Sequence, residues 1–115
     1  TPALLDAAEN SSVPLLPGGV TASEVMNLLD RGYRYQKFFP AEPAGGAAAL
    51  SSLAQPIPQV SFCPTGGITP ALAPGYLKLP NVVTLGGSWM APKNLVAADD
   101  WQAIENLARE AARLK

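Results

Sequence analysis

The sequence predicts an α/β protein built on a parallel sheet. Four short apolar runs, Val13–Leu16, Tyr35–Phe39, Gln59–Cys63 and Val82–Leu85, begin 22, 24 and 23 positions apart. A Gly- or Pro-containing loop follows each run, and a segment with helical signals follows each loop. Short apolar runs closed by turn residues read as buried parallel strands. Their alternation with helices reads as a series of βα units.

Thr1-Pro2 supplies a helix N-cap followed by proline at the first helical position. The first run then ends in Pro17-Gly18-Gly19. Thr21-Ala22-Ser23-Glu24 is a capping box, Val25, Leu28 and Leu29 follow at helical spacing, and Gly32 ends the helix. The second run closes in Pro40-Ala41-Glu42, and Ala47, Leu50 and Leu53 space a short helix behind it. The third run closes in Pro64-Thr65-Gly66-Gly67, before a second cap-and-proline start at Thr69-Pro70. The fourth closes in Gly86-Gly87-Ser88. Asp99-Asp100-Trp101-Gln102 opens the last helix, with an apolar stripe of Trp101, Ile104, Leu107, Ala108, Ala111 and Leu114. Arg113 and Lys115 suit its C-terminus.

A closed (β/α)8 (TIM) barrel needs eight such units and typically about 250 residues. Four units make half of one, and the chain opens on a helix cap with no strand before it. Residues 1–115 are therefore expected to be the C-terminal half of a single barrel domain, carrying strands five to eight.

Composition agrees with an incomplete surface. Charged residues make up 15% of the chain, against about 25% in an average soluble protein. Hydrophobic residues reach 48%. Missing chain or a partner subunit is expected to cover what charge does not. The net charge of −1 recommends neither nucleic acid nor an anionic membrane as a partner. The stretch from Pro43 to Leu77 is uncharged, but its six prolines exclude a membrane-spanning helix. Thr1–Leu5 lacks the basic region and long apolar core of a signal peptide, so the expected compartment is the cytoplasm. One cysteine and no histidine exclude an intrachain disulfide and argue against zinc or haem. No cofactor is expected. Cys63 reads as a small apolar core residue.

Three places could carry chemistry. Alternation puts Tyr35, Lys37 and Phe39 on one strand face. If that face points into a barrel, the lysine loses water and its neutral amine, the form that attacks carbonyls, is favoured. Spacing alone leaves open a solvated lysine at a strand end. Thr65-Gly66-Gly67 and Gly86-Gly87-Ser88 follow the third and fourth strands, the seventh and eighth of a whole barrel, where phosphate sites often lie. The nearest cation in sequence is Lys93, so backbone N–H groups would do most of the anion binding. Ordinary tight turns are the alternative. Glu42 is a candidate acid/base, although a glutamate in a Pro-flanked loop is more often solvated. Trp89 and Met90 read as packing residues.

Taken together, Lys37-Phe38-Phe39-Pro40-Ala41-Glu42, Phe62-Cys63-Pro64-Thr65-Gly66-Gly67-Ile68, Gly86-Gly87-Ser88-Trp89 and Leu16-Pro17-Gly18 resemble the 2-keto-3-deoxy-6-phosphogluconate (KDPG) aldolase family. The resemblance runs along the whole chain in the same order. It implies a trimeric, metal-free barrel aldolase that cleaves KDPG to pyruvate and glyceraldehyde 3-phosphate. The family also cleaves 4-hydroxy-2-oxoglutarate (KHG) to pyruvate and glyoxylate. By the match, Lys37 forms the imine with the pyruvyl carbonyl. Thr65, Gly66, Gly67, Gly87 and Ser88 would surround the aldehyde portion and its phosphate, and Phe39 would line the pocket. The family's proton-shuttling glutamate and its carboxylate-binding arginine and threonine come from early strands, and none of those segments is present. Arg31 and Arg34 fall at the wrong end of the barrel to replace them. Two rivals remain at this point. A phosphosugar isomerase or epimerase would want carboxylate or histidine bases, and the chain has no histidine. A phosphate-binding half-barrel or assembly module without chemistry would keep the glycine loops and make no imine.

Overall fold

The computed structural model describes residues 1–114. The cation expected at the last helix terminus, Lys115, lies outside them. The elements are α1 (Pro2–Glu9), α2 (Ala22–Asp30), β1 (Tyr35–Phe38), α3 (Gly46–Ser52), β2 (Ser61–Pro64), α4 (Ala73–Leu77), α5 (Lys93–Ala97) and α6 (Trp101–Ala111).

Local signals set most of the helix ends. Thr1 caps α1, with Pro2 at its first position. At α2 both halves of the capping box form, the Thr21 hydroxyl accepting from Glu24 N–H while Glu24 reaches back. Gly32 leaves α2 with φ +88°. Its N–H donates to Leu29 O at 2.8 Å, and Tyr33 N–H donates to Leu28 O at 3.1 Å, the paired closure of a glycine-terminated helix. Asp100 caps α6 through Ala103 N–H. One start differs: Thr69-Pro70 opens a turn, in which Leu72 and Ala73 N–H both donate to Thr69 O, and α4 begins only at Ala73. Helix α5, which follows Pro92, was not expected from the sequence.

Strands β1 and β2 pair in parallel, with Lys37 opposite Cys63 and Phe38 opposite Pro64. The first and fourth apolar runs do not form full strands. They reach the sheet through isolated parallel bridges, Gly18 to Lys37 on one side, Phe62 to Val82 and Thr65 to Gly86 on the other. The chain order is therefore kept across the sheet, and every pairing is parallel. The outer segments have a neighbour on one side only, and Pro14 and Pro17 bring no N–H to the first of them. The third strand starts two residues later than expected because Val60 N–H still closes a turn onto Ile57 O.

The two faces of the sheet differ. Gln36, Phe38, Phe62 and Pro64 are buried on one face. There the Phe38 and Phe62 rings meet edge to face, 6.3 Å between centroids. Val25 and Leu28 of α2, Leu50 of α3, and Ala73 and Tyr76 of α4 are buried as well, nearly all within the same core. Each large apolar side chain so buried contributes about 1.5–3 kcal/mol. Gln36 is the polar member of this layer. Its amide donates to Val25 O at 3.0 Å and Tyr33 O at 2.9 Å, fastening α2 to β1 next to Lys37. The opposite face carries Tyr35, Lys37, Ser61 and Cys63 and is left open. Cys63 thus belongs to the open face, half-buried, and not to the core expected for it.

Helix α6 packs on α5 without burying a residue fully. Of its expected stripe, Ile104, Leu107, Ala111 and Leu114 are half-buried while Trp101 and Ala108 are exposed. Arg31 bridges to Asp6 at 2.7 Å and Glu9 at 3.2 Å, tying α2 to α1. Among the described residues, no helix is long and apolar enough to cross a membrane.

Candidate active site

Lys37 is held by its backbone to the segment after the first run. Its N–H donates to Pro17 O at 2.7 Å, its carbonyl accepts from Gly19 N–H at 2.9 Å, and Cys63 is its partner across the sheet. Its side chain enters an open cavity of about 410 Å³ lined also by Gly18, Gly19, Val20, Glu24 and Phe39. The aromatic enclosure expected around the amine is not supplied by the described residues. Lys37 is half-buried, but Tyr35 and Phe39 are 64% and 54% exposed.

Glu24 was read from the sequence only as a helix cap, and it also faces this cavity. Its carboxylate accepts from Val20 N–H at 3.0 Å, and from Thr21 N–H at 2.9 Å and the Thr21 hydroxyl at 3.0 Å. The Thr21 backbone donor first, then Val20, hold it below the ordinary carboxylate range. An acid so well solvated by donors stays ionised and is a poor proton donor.

A second cavity, of about 500 Å³, opens on the other side of Phe39. Phe39, Thr65, Gly66, Gly67, Gly87 and Ser88, six of the seven residues that the resemblance assigns to the site, line it together. Ile68, Thr69 and Trp89 complete the wall, so Trp89 faces a cavity as well as packing on the core. Phe39 is the shared wall between this space and that of Lys37.

Among the described residues, the N–H groups of Gly66, Gly67, Gly87 and Ser88 donate to no protein acceptor. Among the described residues, no Lys or Arg lines the cavity. Free backbone donors around a concave space suit an anion. Gly66 and Gly67 have φ of +107° and +78°, which L side chains rarely adopt. A Cβ on Gly66 would stand 3.1 Å from Phe39 Cδ2 and Pro40 Cα, so the loop after β1 lies directly against the loop after β2. The Phe39–Pro40 peptide is cis.

Glu42 is not the solvated loop residue expected. It is half-buried and accepts a hydrogen bond from the hydroxyl of Tyr76, a residue the sequence reading passed over. Burial first, then this bond, push the Tyr76 phenol well above its ordinary range.

A family model described as KDPG and KHG aldolase matches residues 1–107. The chain belongs to this aldolase family. It is 50% identical to the 2-dehydro-3-deoxy-phosphogluconate aldolase of Pseudomonas aeruginosa over 111 residues, 96% of this chain and 50% of the relative. Among solved structures, the KDPG aldolase of Legionella pneumophila, with pyruvate captured as a covalent carbinolamine, superposes with a TM-score of 0.93. Identity there is 43%, over 96% of this chain and 54% of that one. The KDPG aldolase of Zymomonas mobilis with 3-phosphoglycerate gives a TM-score of 0.81 at 47% identity, over 95% of this chain and 50% of that one. The chain spans about half the length of the curated relatives it matches.

Proposed function

We propose that the chain carries the imine-forming and phosphate-binding half of a class I aldolase that cleaves KDPG to pyruvate and glyceraldehyde 3-phosphate. KHG, which gives pyruvate and glyoxylate, is the second substrate of this reading. The observation that carries it is the adjacency of two cavities across Phe39, one holding Lys37 and the other ringed by unpartnered N–H groups. That adjacency suits a substrate with a ketone at one end and a phosphate at the other.

In this reading the neutral amine of Lys37 adds to the substrate's C2 carbonyl, and water leaves to form an imine. The protonated imine accepts the electron pair released when the C3–C4 bond breaks. The C4 hydroxyl gives up its proton and the aldehyde departs. The enamine left behind takes a proton at C3, and hydrolysis frees pyruvate and Lys37. The carbinolamine trapped in the Legionella relative supports an amine attack of this kind. Gly66, Gly67, Gly87, Ser88 and Thr65 would hold the phosphorylated aldehyde end, and Phe39 would separate it from the imine. The chain would supply strands five to eight of a (β/α)8 barrel. The remaining half would close the open face of the sheet and bring the proton shuttle and the carboxylate contacts. The assembled enzyme would be a trimer.

Borohydride reduction in the presence of pyruvate, followed by peptide mapping, tests the assignment. The expected label is on Lys37, and a label on Lys78, Lys93 or Lys115 in its place overturns it. Lys37→Arg should abolish turnover, because a guanidinium stays protonated and is no amine nucleophile.

A further inference from the structure

Glu42 is an odd residue to find beside a space suited to an anion. A carboxylate near a bound phosphate costs Coulomb energy, and among the described residues no cation lines that cavity to offset it. Its surroundings suggest what outweighs that cost. The backbone of the loop after β1 is laced to the loop after β2, with Ala41 N–H donating to Thr65 O at 2.8 Å and Glu42 N–H to Gly66 O at 3.0 Å. The Glu42 stem presses on the next residue: a Cβ on Gly67 would stand 2.9 Å from Glu42 Cβ and 3.0 Å from its Cγ. The far end of the side chain takes the Tyr76 hydroxyl. Tyr76 itself is 1% exposed and belongs to the buried core. Glu42 is therefore fixed at three points, its backbone to Gly66, its stem against Gly67 and its carboxylate to a buried phenol.

We propose that Glu42 and Tyr76 are a positioning pair that fixes the Gly66–Gly67 loop in its anion-accepting shape, and so set the enzyme's preference for phosphorylated substrates. The inference rests on the phosphate-binding reading above. The pair touches neither the imine nor the reacting carbons. Its loss loosens the loop whose two N–H groups would meet the phosphate and leaves Lys37 untouched. What Glu42 contributes is an acceptor in the right place. An amide oxygen at the same position also accepts from Tyr76, so the conservative variant Glu42→Gln should restore what Glu42→Ala loses.

The experiment uses the full-length protein carrying Glu42→Ala, Tyr76→Phe or Glu42→Gln, assayed on KDPG and on unphosphorylated KHG. Tyr76→Phe keeps the buried ring and is the milder lesion should Glu42→Ala fold poorly. Glu42→Ala and Tyr76→Phe are expected to raise KM for KDPG about tenfold, the scale of one lost hydrogen bond. Their kcat, and both constants for KHG, should stay near wild type, and Glu42→Gln should match wild type on both substrates. Equal losses on the two substrates, wild-type KM in both Glu42→Ala and Tyr76→Phe, or a Glu42→Gln variant as impaired as Glu42→Ala would each overturn the proposal. The wild-type protein separates this failure from that of the underlying reading. If borohydride traps no pyruvate on Lys37, or KDPG is not favoured over KHG, the functional reading falls and takes the pair with it.

Discussion

Lys37 and Cys63 stand opposite each other in the parallel register of β1 and β2, both on the face that the helices leave uncovered. The thiol is half-buried and lies 4.0 Å from the Thr65 hydroxyl. The residue across the sheet from Lys37 is thus a small one. Cys63→Phe should crowd the approach to Lys37 and slow imine formation about ten- to hundredfold, the cost of small misplacements of reacting groups. Stopped-flow trapping of pyruvate reads the effect. A Cys63→Phe protein that forms the imine at the wild-type rate would show that substrate does not pass this side of the lysine.

If backbone N–H groups carry the phosphate, the Ser88 hydroxyl is dispensable. Ser88→Ala should change KM for KDPG by less than about threefold, below the worth of a typical hydrogen bond to a charged group. Gly67→Val should act far more strongly and lower the melting temperature as well. Its valine would need φ near +78° and would meet Glu42 Cβ at 2.9 Å, a strain of about 1–3 kcal/mol. Thermal melts alongside the kinetics separate the two effects. A large KM change in Ser88→Ala would move the phosphate contact from the backbone to the hydroxyl.

The capping box of α2 predicts a pH-dependent stability. Glu24 is held below its ordinary value of 4.5 by donors present only in the folded chain. A depressed carboxylate stabilises fully above that ordinary value, and the contribution disappears as pH falls through the lower folded-state value. The stability gap between wild type and Glu24→Gln should accordingly be constant near neutrality and close below pH 4.5. Thr21→Ala removes the other half of the box and should cost about 1 kcal/mol. Urea melts across this pH range check both, and a gap that widens on acidification would contradict the sign.

Residues 1–115 expressed alone should bind a hydrophobic dye and self-associate. Val13, Tyr35, Phe39 and Val83 are all more than half exposed, a quantity of apolar surface that favours association. Cleavage of KDPG by this chain should be lower than by the full-length protein by at least about 10²–10⁴-fold, the worth of one positioned acid/base. Near-native activity would force a search for a proton shuttle within the chain, where Glu42 is bonded to Tyr76 and Glu24 to Thr21.

Much of this protein was legible in one dimension because the signals are local. Thr21 with Glu24, Gly32, and Asp100 each act within a few residues, so capping chemistry alone placed the ends of α2 and the start of α6. The two central strands were visible as apolar runs, and the motif residues Phe39, Thr65, Gly66, Gly67, Gly87 and Ser88 do surround one cavity. The tertiary structure decided what depends on a neighbour. The segments of the first and fourth runs have a neighbour on one side only and keep isolated bridges at Gly18, Val82 and Gly86 in place of full strands, which periodicity does not reveal. Cys63 went to the open face because β2 turns Phe62 and Pro64 inward. Glu42 meets Tyr76, 34 positions away in sequence, only in the folded chain, and a contact of that range leaves no mark on either residue's local pattern.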